Sequence, residues 1–402
     1  MTATAMPETA PRTGAPIAAN YFLLFASWAV LSPYLQLFLK ARGLAESRIG
    51  WLLGLVEIAG VAGPLVIGRL ADRLRTYRAL LAACFLVPVA VLASMETTTR
   101  LPAYVAGMLA IGFTYRAVIP LLDSIVSRLL TDPVRQYGRL RVAGGFGFVA
   151  LSLVLQIGGW VTGEASRPIL VAFGLAACCA AAAVGLLPPV PELKVHRQSR
   201  AAQPPGSGFD AAFWAVIGVI FLGRFGIGAY YAFFSLYLKQ TFPGSGVSLL
   251  WAIGPFAEIA TIWYSGAMIR RWGMRAMFMV SLAAITVRLL LFVVAPNLAV
   301  VALAQLLHAF TFGTFHTTAV AFINAKIDPA RRGTGMAVYN AVGVGLATFL
   351  ASAAGGWVVE TRGFVALFVA YAAVPVIGIL ALLGLRQAFA FGTPATPPET
   401  GQ

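Results

Sequence analysis

Apolar residues along this chain fall into long stretches separated by short polar turns. Twelve stretches stand out: 17–39, 49–70, 79–95, 102–127, 140–161, 168–188, 213–238, 248–269, 276–295, 298–324, 335–358 and 363–385. An α-helix needs about 20 apolar residues to cross a bilayer. The pattern therefore predicts an all-α membrane protein with twelve transmembrane helices. The turns between them are too short and too polar to hold a separate soluble domain. Residues 190–212 form the longest polar interruption and divide the twelve spans into six and six.

The two sets of six echo each other. Leu37-Phe38-Leu39-Lys40 closes the first span as Leu236-Tyr237-Leu238-Lys239 closes the seventh. Trp51 then answers Trp251, and Gly68 answers Gly266, at nearly the same offset. A steady offset across three landmarks predicts two pseudo-symmetric six-helix bundles, 17–189 and 213–386, joined by a cytoplasmic linker at 190–212. Paired halves rocking about a central site are a transporter architecture.

Composition supports the membrane reading. Of 402 residues, 59% are hydrophobic and 11% charged, against about 25% charged in soluble domains, and mean hydropathy is +0.84. The formal charge of +15 is a matter of topology and not a nucleic-acid footprint. With residue 1 inside, sixteen Lys and Arg fall in inner loops and seven in outer ones. Cytoplasmic loops concentrate basic residues, so both termini are expected to be cytoplasmic. Residues 1–16 carry no apolar core followed by a cleavage site and read as a disordered tail, as do 387–402. Cys84, Cys178 and Cys179 lie inside spans, so no disulfide framework is implied. The chain has no G-x-S-x-G, H-E-x-x-H, Walker or Cys/His metal pattern, so neither an enzyme nor a metal or cofactor requirement is expected.

Charges inside the apolar stretches carry the candidate chemistry. Glu57, Asp123, Glu258, Arg116, Arg141, Arg224, Arg288, His308 and His316 all fall there. A charge at the bilayer centre costs about 2.5–3.5 kcal/mol even on lenient scales, so such groups face the interior, pair or function. Arg116 and Asp123 are seven apart and share a helical face, so they are expected to pair loosely or line a cavity together. His308, Phe312 and Phe315 form a second stripe, with His316 about a quarter turn away and expected to be structural. The four arginines outnumber the three carboxylates, and a surplus of positive charge suits an anion. Arginine's planar fork holds a carboxylate through two hydrogen bonds. Trp28, Tyr230, Tyr231, Phe312 and Phe315 supply aromatic walls. A carboxyl in an apolar site has its pKa raised towards the working range, which makes Glu258 the first candidate for a coupling proton, with Asp123 and Glu57 behind it.

Gly68-Arg69-Leu70-Ala71-Asp72-Arg73 resembles the G-x-x-x-D-R signature between the second and third helices of the major facilitator superfamily. Its degenerate counterpart starts at Gly266 and runs through Arg270 and Arg271, where that superfamily repeats it. The resemblance implies a conformational gate at Gly68, Asp72, Arg73, Gly266, Arg270 and Arg271. In it Gly allows close helix approach, and Asp72 locks onto the neighbouring bundle. Asp123 with Gly138-Arg139-Leu140-Arg141, Val287-Arg288 and Leu307-His308-Ala309-Phe310 is similar to the phenylpropionate permease and lactose permease-like branch. Tyr230-Tyr231, Ala257-Glu258 and the pair His308 and His316 extend that similarity.

The resemblance implies substrate contact at Asp123 and Arg141, with Arg141 the anchor; with the buried carboxyls, this places the expected proton coupling around Glu258, His308, Arg288 and Glu57. Thr311 stands where sugar permeases of this branch carry the glutamate that handles the proton. Coupling must then fall to another group. The expectation is a proton-coupled uptake carrier for a small organic acid, in a bacterial inner membrane, acting as a monomer. The alternatives are a sugar or nucleoside symporter of the same branch, or a non-transporting assembly or sensor protein on the carrier scaffold.

Overall fold

The computed structural model describes residues 11–130, 133–189, 208–294 and 297–389. The N-terminal part contains α1 (Pro11–Ala41), α2 (Glu46–Leu74), α3 (Tyr77–Glu96), α4 (Leu101–Tyr115), α5 (Val118–Leu129), α6 (Pro133–Gly158) and α7 (Ser166–Ala183). The C-terminal part contains α8 (Ala211–Thr241), α9 (Val247–Val294), α10 (Leu298–Leu306), α11 (Phe315–Lys326), α12 (Arg332–Val338) and α13 (Ala347–Gly384). Ten helices among the described residues are long and apolar enough to cross a membrane, and Val247–Thr261 is a shorter apolar helix. The chain is all-helical because only closed backbone hydrogen bonding survives in lipid.

The boundaries depart from the hydropathy pattern in informative ways. Helix α1 starts at Pro11, so 11–16 are helical and not part of a tail; residues 1–10 lie outside the described residues. Most of the expected linker, 190–207, and most of the C-terminal tail, 390–402, also lie outside them. Residues 387–389 form a short 3₁₀ turn.

The expected span 102–127 breaks between α4 and α5, where Ala117 N donates to Thr114 O at 3.1 Å. Helix α9 contains a break at Gly273 (φ 77°, ψ 157°) and α13 one at Gly363 (φ 81°, ψ 177°). Only glycine takes that backbone without strain. The stretch 298–324 is also interrupted: α10 and α11 are joined through a π-helical segment, Ala309–Thr314. A second π segment, Tyr339–Leu346, joins α12 to α13. Such π turns are rare and gather at functional sites.

Helix α1 packs on α6 and α7, α2 on α4, and α8 on α13. Across the molecule α2 meets α13, α6 meets α9 and α1 meets α8. These cross-contacts tighten at the end where α1 turns into α2. A Cβ on Gly50 would lie 2.2 Å from Ser352 O, and one on Gly356 would lie 2.4 Å from Glu46 O, so these backbones touch directly. Gln36 Nε2 and Trp251 Nε1 both donate to Ser235 Oγ at 2.9 Å, and Ser47 N donates to Glu360 Oε2 at 2.9 Å.

At the opposite end Gly68 meets nothing within 4 Å, so its expected role in close approach is not realised here. Arg73, Gly266, Arg270 and Arg271 are exposed. Asp72 bonds Tyr77 and, at 2.8 Å, Arg128 Nη2, both in its own set of helices, so it does not lock onto the other set. The molecule is closed at the α1–α2 end and unlocked at the α2–α3 end.

Asp210 caps α8, its Oδ1 accepting from Phe213 N at 2.9 Å. Lys326 Nζ donates to its Oδ2 at 2.7 Å. The bond from Lys326 first, and the cap second, hold the Asp210 carboxyl below the usual carboxylate range.

Candidate functional site

Asp123 on α5 and Arg141 on α6 meet as the sequence suggested. Arg141 Nη1 donates to both Asp123 oxygens at 3.0 and 3.1 Å and to Tyr137 Oη at 2.9 Å. Tyr21 Oη donates to Asp123 Oδ1 at 2.6 Å. Both charged side chains remain about one-third exposed, at 30% and 34%. Neither tyrosine carried a signal in the sequence beyond being a buried aromatic.

Arg116 does not join Asp123. It bonds Glu57 on α2, and its guanidinium sits 5.2 Å from the Trp28 ring centroid. The cause is the break after Tyr115, which spoils the seven-residue register that would have put Arg116 and Asp123 on one face. Trp28 stacks on Tyr115 at 5.4 Å, and its Nε1 has no hydrogen-bond partner.

Arg288, His308 and Glu258 form a second group among α9, α10 and the first π segment. Arg288 Nη1 lies 3.0 Å from His308 Nδ1 and donates to Thr311 Oγ1 at 3.0 Å; Nη2 bonds Gln305. The Tyr230 ring caps the guanidinium at 3.8 Å. A guanidinium has no acceptor, so His308 Nδ1 accepts and the imidazole proton sits on Nε2. That nitrogen faces Glu258 Oε2 at 3.6 Å. A second proton on His308 would require breaking its bond with Arg288, whereas Glu258 can take a proton without disturbing any bond named here. Gly254 makes room for the ring, since a Cβ there would lie 3.0 Å from His308 Cγ. Gln305 was missed because an amide in an apolar stretch announces nothing.

The aromatic stripe differs from expectation. His308 stacks on Phe312 at 5.7 Å, and Phe312 on His316 at 5.9 Å. His316 thus shares the face that a regular α-helix would have denied it. The wider π turn, bonded i to i+5, brings every fourth residue nearly into line. Phe315 is displaced from the stripe and fully buried, edge-on to Phe278 at 5.6 Å. Tyr230 is also fully buried, among Trp251, Phe234 and Phe292. Neither Tyr230 nor Phe315 offers a surface to a ligand, which corrects their expected place in the walls. Tyr231, Phe312 and Trp28 are only half-buried and remain available.

A third group was not assembled from the sequence. Arg224 Nη2 on α8 donates to Tyr339 Oη at 3.1 Å, and that hydroxyl lies 2.8 Å from His316 Nδ1. Tyr339 belongs to the second π segment, and His316 lies in α11 just after the first. Tyr339 could not have been picked out, because nothing in its neighbourhood marks a partner for Arg224. No group of three or more metal-binding side chains occurs among the described residues.

The chain is 26% identical over 377 residues to the maltose permease of Geobacillus stearothermophilus, covering 91% of this chain and 93% of that one. It is 27% identical over 345 residues to the "Probable 3-phenylpropionic acid transporter" of Escherichia coli (strain K12), covering 82% and 86%. The crystal structure of a point mutant of the nucleoside transporter NupG superposes with a TM-score of 0.81 at 18% identity, over 93% of this chain and all of that one. Residues 16–370 match the model of the MFS_1 like family. The chain is thus a multi-pass integral membrane protein of the MFS_1 like family, within the major facilitator superfamily, and a secondary transporter of small molecules and not an enzyme.

Proposed function

We propose that this transporter is a proton-coupled symporter that takes up a small organic acid, such as an aromatic carboxylate, by alternating access. In this reading the helix breaks at Gly273 and Gly363 separate four spans, giving twelve in all, arranged as bundles 17–189 and 213–386. Both termini lie in the cytoplasm of a bacterial cell, the protein sits in the inner membrane, and the monomer is the working unit. The closed α1–α2 end is then the outer one, and the present conformation opens inward.

The observation that carries the reading is the charge inventory of the interior. Glu57 is matched by Arg116 and Asp123 by Arg141, while Glu258 stands opposite a neutral histidine. Two further arginines, Arg224 and Arg288, have no carboxylate within 4.0 Å among the described residues. An interior with surplus positive charge favours an anionic passenger, and likeness to the phenylpropionic acid transporter points to the same class. Glu258 is the coupling group, since His308 has its second nitrogen occupied by Arg288. Protonation of Glu258 removes the negative charge opposing the anion, and the loaded halves then rock. Asp123 holds Arg141 at rest and releases it during the cycle.

Likeness to the maltose permease favours a second reading, sugar symport on the same scaffold. Uptake of labelled 3-phenylpropionate, maltose and uridine into proteoliposomes under an imposed inward proton gradient separates the two. Gradient-driven accumulation of the acid is expected. Accumulation of maltose or uridine without the acid would replace the proposal.

A further inference from the structure

We infer that Arg224 is the anchor for the transported anion, and that its ligand is a small monocarboxylate with an apolar body. The inference rests on the organic-acid reading and deepens it, because Arg141, the anchor suggested by the family pattern, is already engaged by Asp123.

The four interior arginines are not equally occupied. Arg116 and Arg141 each hold a carboxylate. Arg288 has three acceptors and a tyrosine ring over its face. Arg224 has one hydrogen bond, to the neutral hydroxyl of Tyr339. Among the described residues its Nε has no acceptor, and the residue is only 5% exposed. Its other neighbours are the rings of Phe312 and Phe315, so this buried cation has no counter-charge beside it, and taking it out of water is costly unless one arrives.

A second unpartnered group lies beside it. Tyr231, seven residues on and therefore on the same face of α8, has a hydroxyl without a hydrogen-bond partner among the described residues. Both residues border one ring: the Arg224 guanidinium carbon is 5.1 Å from the Phe312 centroid, and the Tyr231 ring meets Phe312 edge-on at 6.5 Å. A carboxylate beside Phe312 accepts from Arg224 Nε and from the Tyr231 hydroxyl, satisfying both orphans at once. One carboxylate balances the surplus of one positive charge left by four interior arginines and three carboxylates. The exposed part of Phe312 then faces the ligand's apolar body.

The test is titration of the full-length protein in detergent with 3-phenylpropionate and with its uncharged isostere 3-phenylpropanamide. Wild-type protein should bind the acid at least about tenfold more tightly than the amide, a ratio that corresponds to one charge-assisted contact. Arg224→Gln should lose that preference, Arg224→Lys should recover part of it, and Tyr231→Phe should weaken the acid several-fold and the neutral amide less. Arg224→Gln binding the acid like wild type, with Arg141→Gln losing it, would overturn the inference and leave the organic-acid reading intact. Should Arg224→Gln fail to fold, Tyr231→Phe decides alone, since it removes only an unbonded hydroxyl; unchanged acid binding there counts against the inference. A folded wild-type protein that binds no carboxylate overturns inference and reading together.

Discussion

The charges of the N-terminal helices and those of the C-terminal helices are stabilised in different ways. In the N-terminal set Glu57 with Arg116 and Asp123 with Arg141 form two matched pairs, each cation 34% exposed. In the C-terminal set Arg288 is fully buried, Arg224 nearly so, and each is held mainly by neutral groups: Gln305, Thr311, His308 and Tyr339. Matched, half-wet pairs can open and close at little cost, as a switch requires. Dry, unmatched cations cannot move cheaply, and they wait for charge to be brought to them. The N-terminal helices are thus suited to gating, and the C-terminal ones to binding the anion and its proton.

The largest effect that would break this contrast is on stability. Arg288→Met strands the buried acceptors of Gln305, Thr311 and His308, and should cost about 1–3 kcal/mol, the penalty of an unsatisfied buried acceptor. Arg141→Met opens a pair that water reaches and should cost about 1 kcal/mol or less. Thermal unfolding of both variants in the same detergent checks the difference, and equal losses would remove it.

Next comes the closed end. Gly50→Leu forces a side chain against the Ser352 carbonyl, and overpacking of this kind costs about 1–3 kcal/mol. The population should shift about five- to a hundredfold towards opening at that end, read by the reactivity of a cysteine placed at Ser47. No change in reactivity would mean that this contact does not hold the end shut.

Asp123→Asn should leave the fold in place yet slow uptake about fivefold, by loosening Arg141 with about 1 kcal/mol of lost pairing. Normal uptake by this variant would sink the proposed switch.

The smallest effect lies outside the membrane. Asp210→Ala should lower stability by about 1 kcal/mol at neutral pH, the usual worth of an N-cap. Because Lys326 and the cap depress the folded-state pKa of Asp210, its contribution is present above the unfolded value of about 4 and is lost as pH falls through the lower folded one. Melting curves of variant and wild type should converge towards pH 3.

Much of the fold was legible in the sequence because a bilayer is a strict solvent: apolar length and the position of each charge follow directly from it. Asp123 with Arg141, and His308 with Arg288, were anticipated only through the resemblance to the lactose permease-like branch, since the spacing of the charges by itself put Asp123 with Arg116. Geometry finer than a turn was not readable. Residues 309–314 look like any apolar helix, yet their π turn exchanges Phe315 for His316 on the stripe. The break after Tyr115 sends Arg116 to Glu57 by the same kind of one-residue change in register. Arg224 was visible as a charge. Its lack of a carboxylate was not, because an absent partner is a property of the packed molecule alone.

The assignment of the coupling proton to Glu258, in a carrier for an organic acid, is tested most directly in proteoliposomes. Accumulation of labelled 3-phenylpropionate under an inward proton gradient is compared with exchange at equal pH, for wild type and Glu258→Gln. The variant is expected to lose accumulation and keep exchange, because it can still bind and rock but no longer takes up a proton. Gradient-driven accumulation that survives in Glu258→Gln would contradict that assignment.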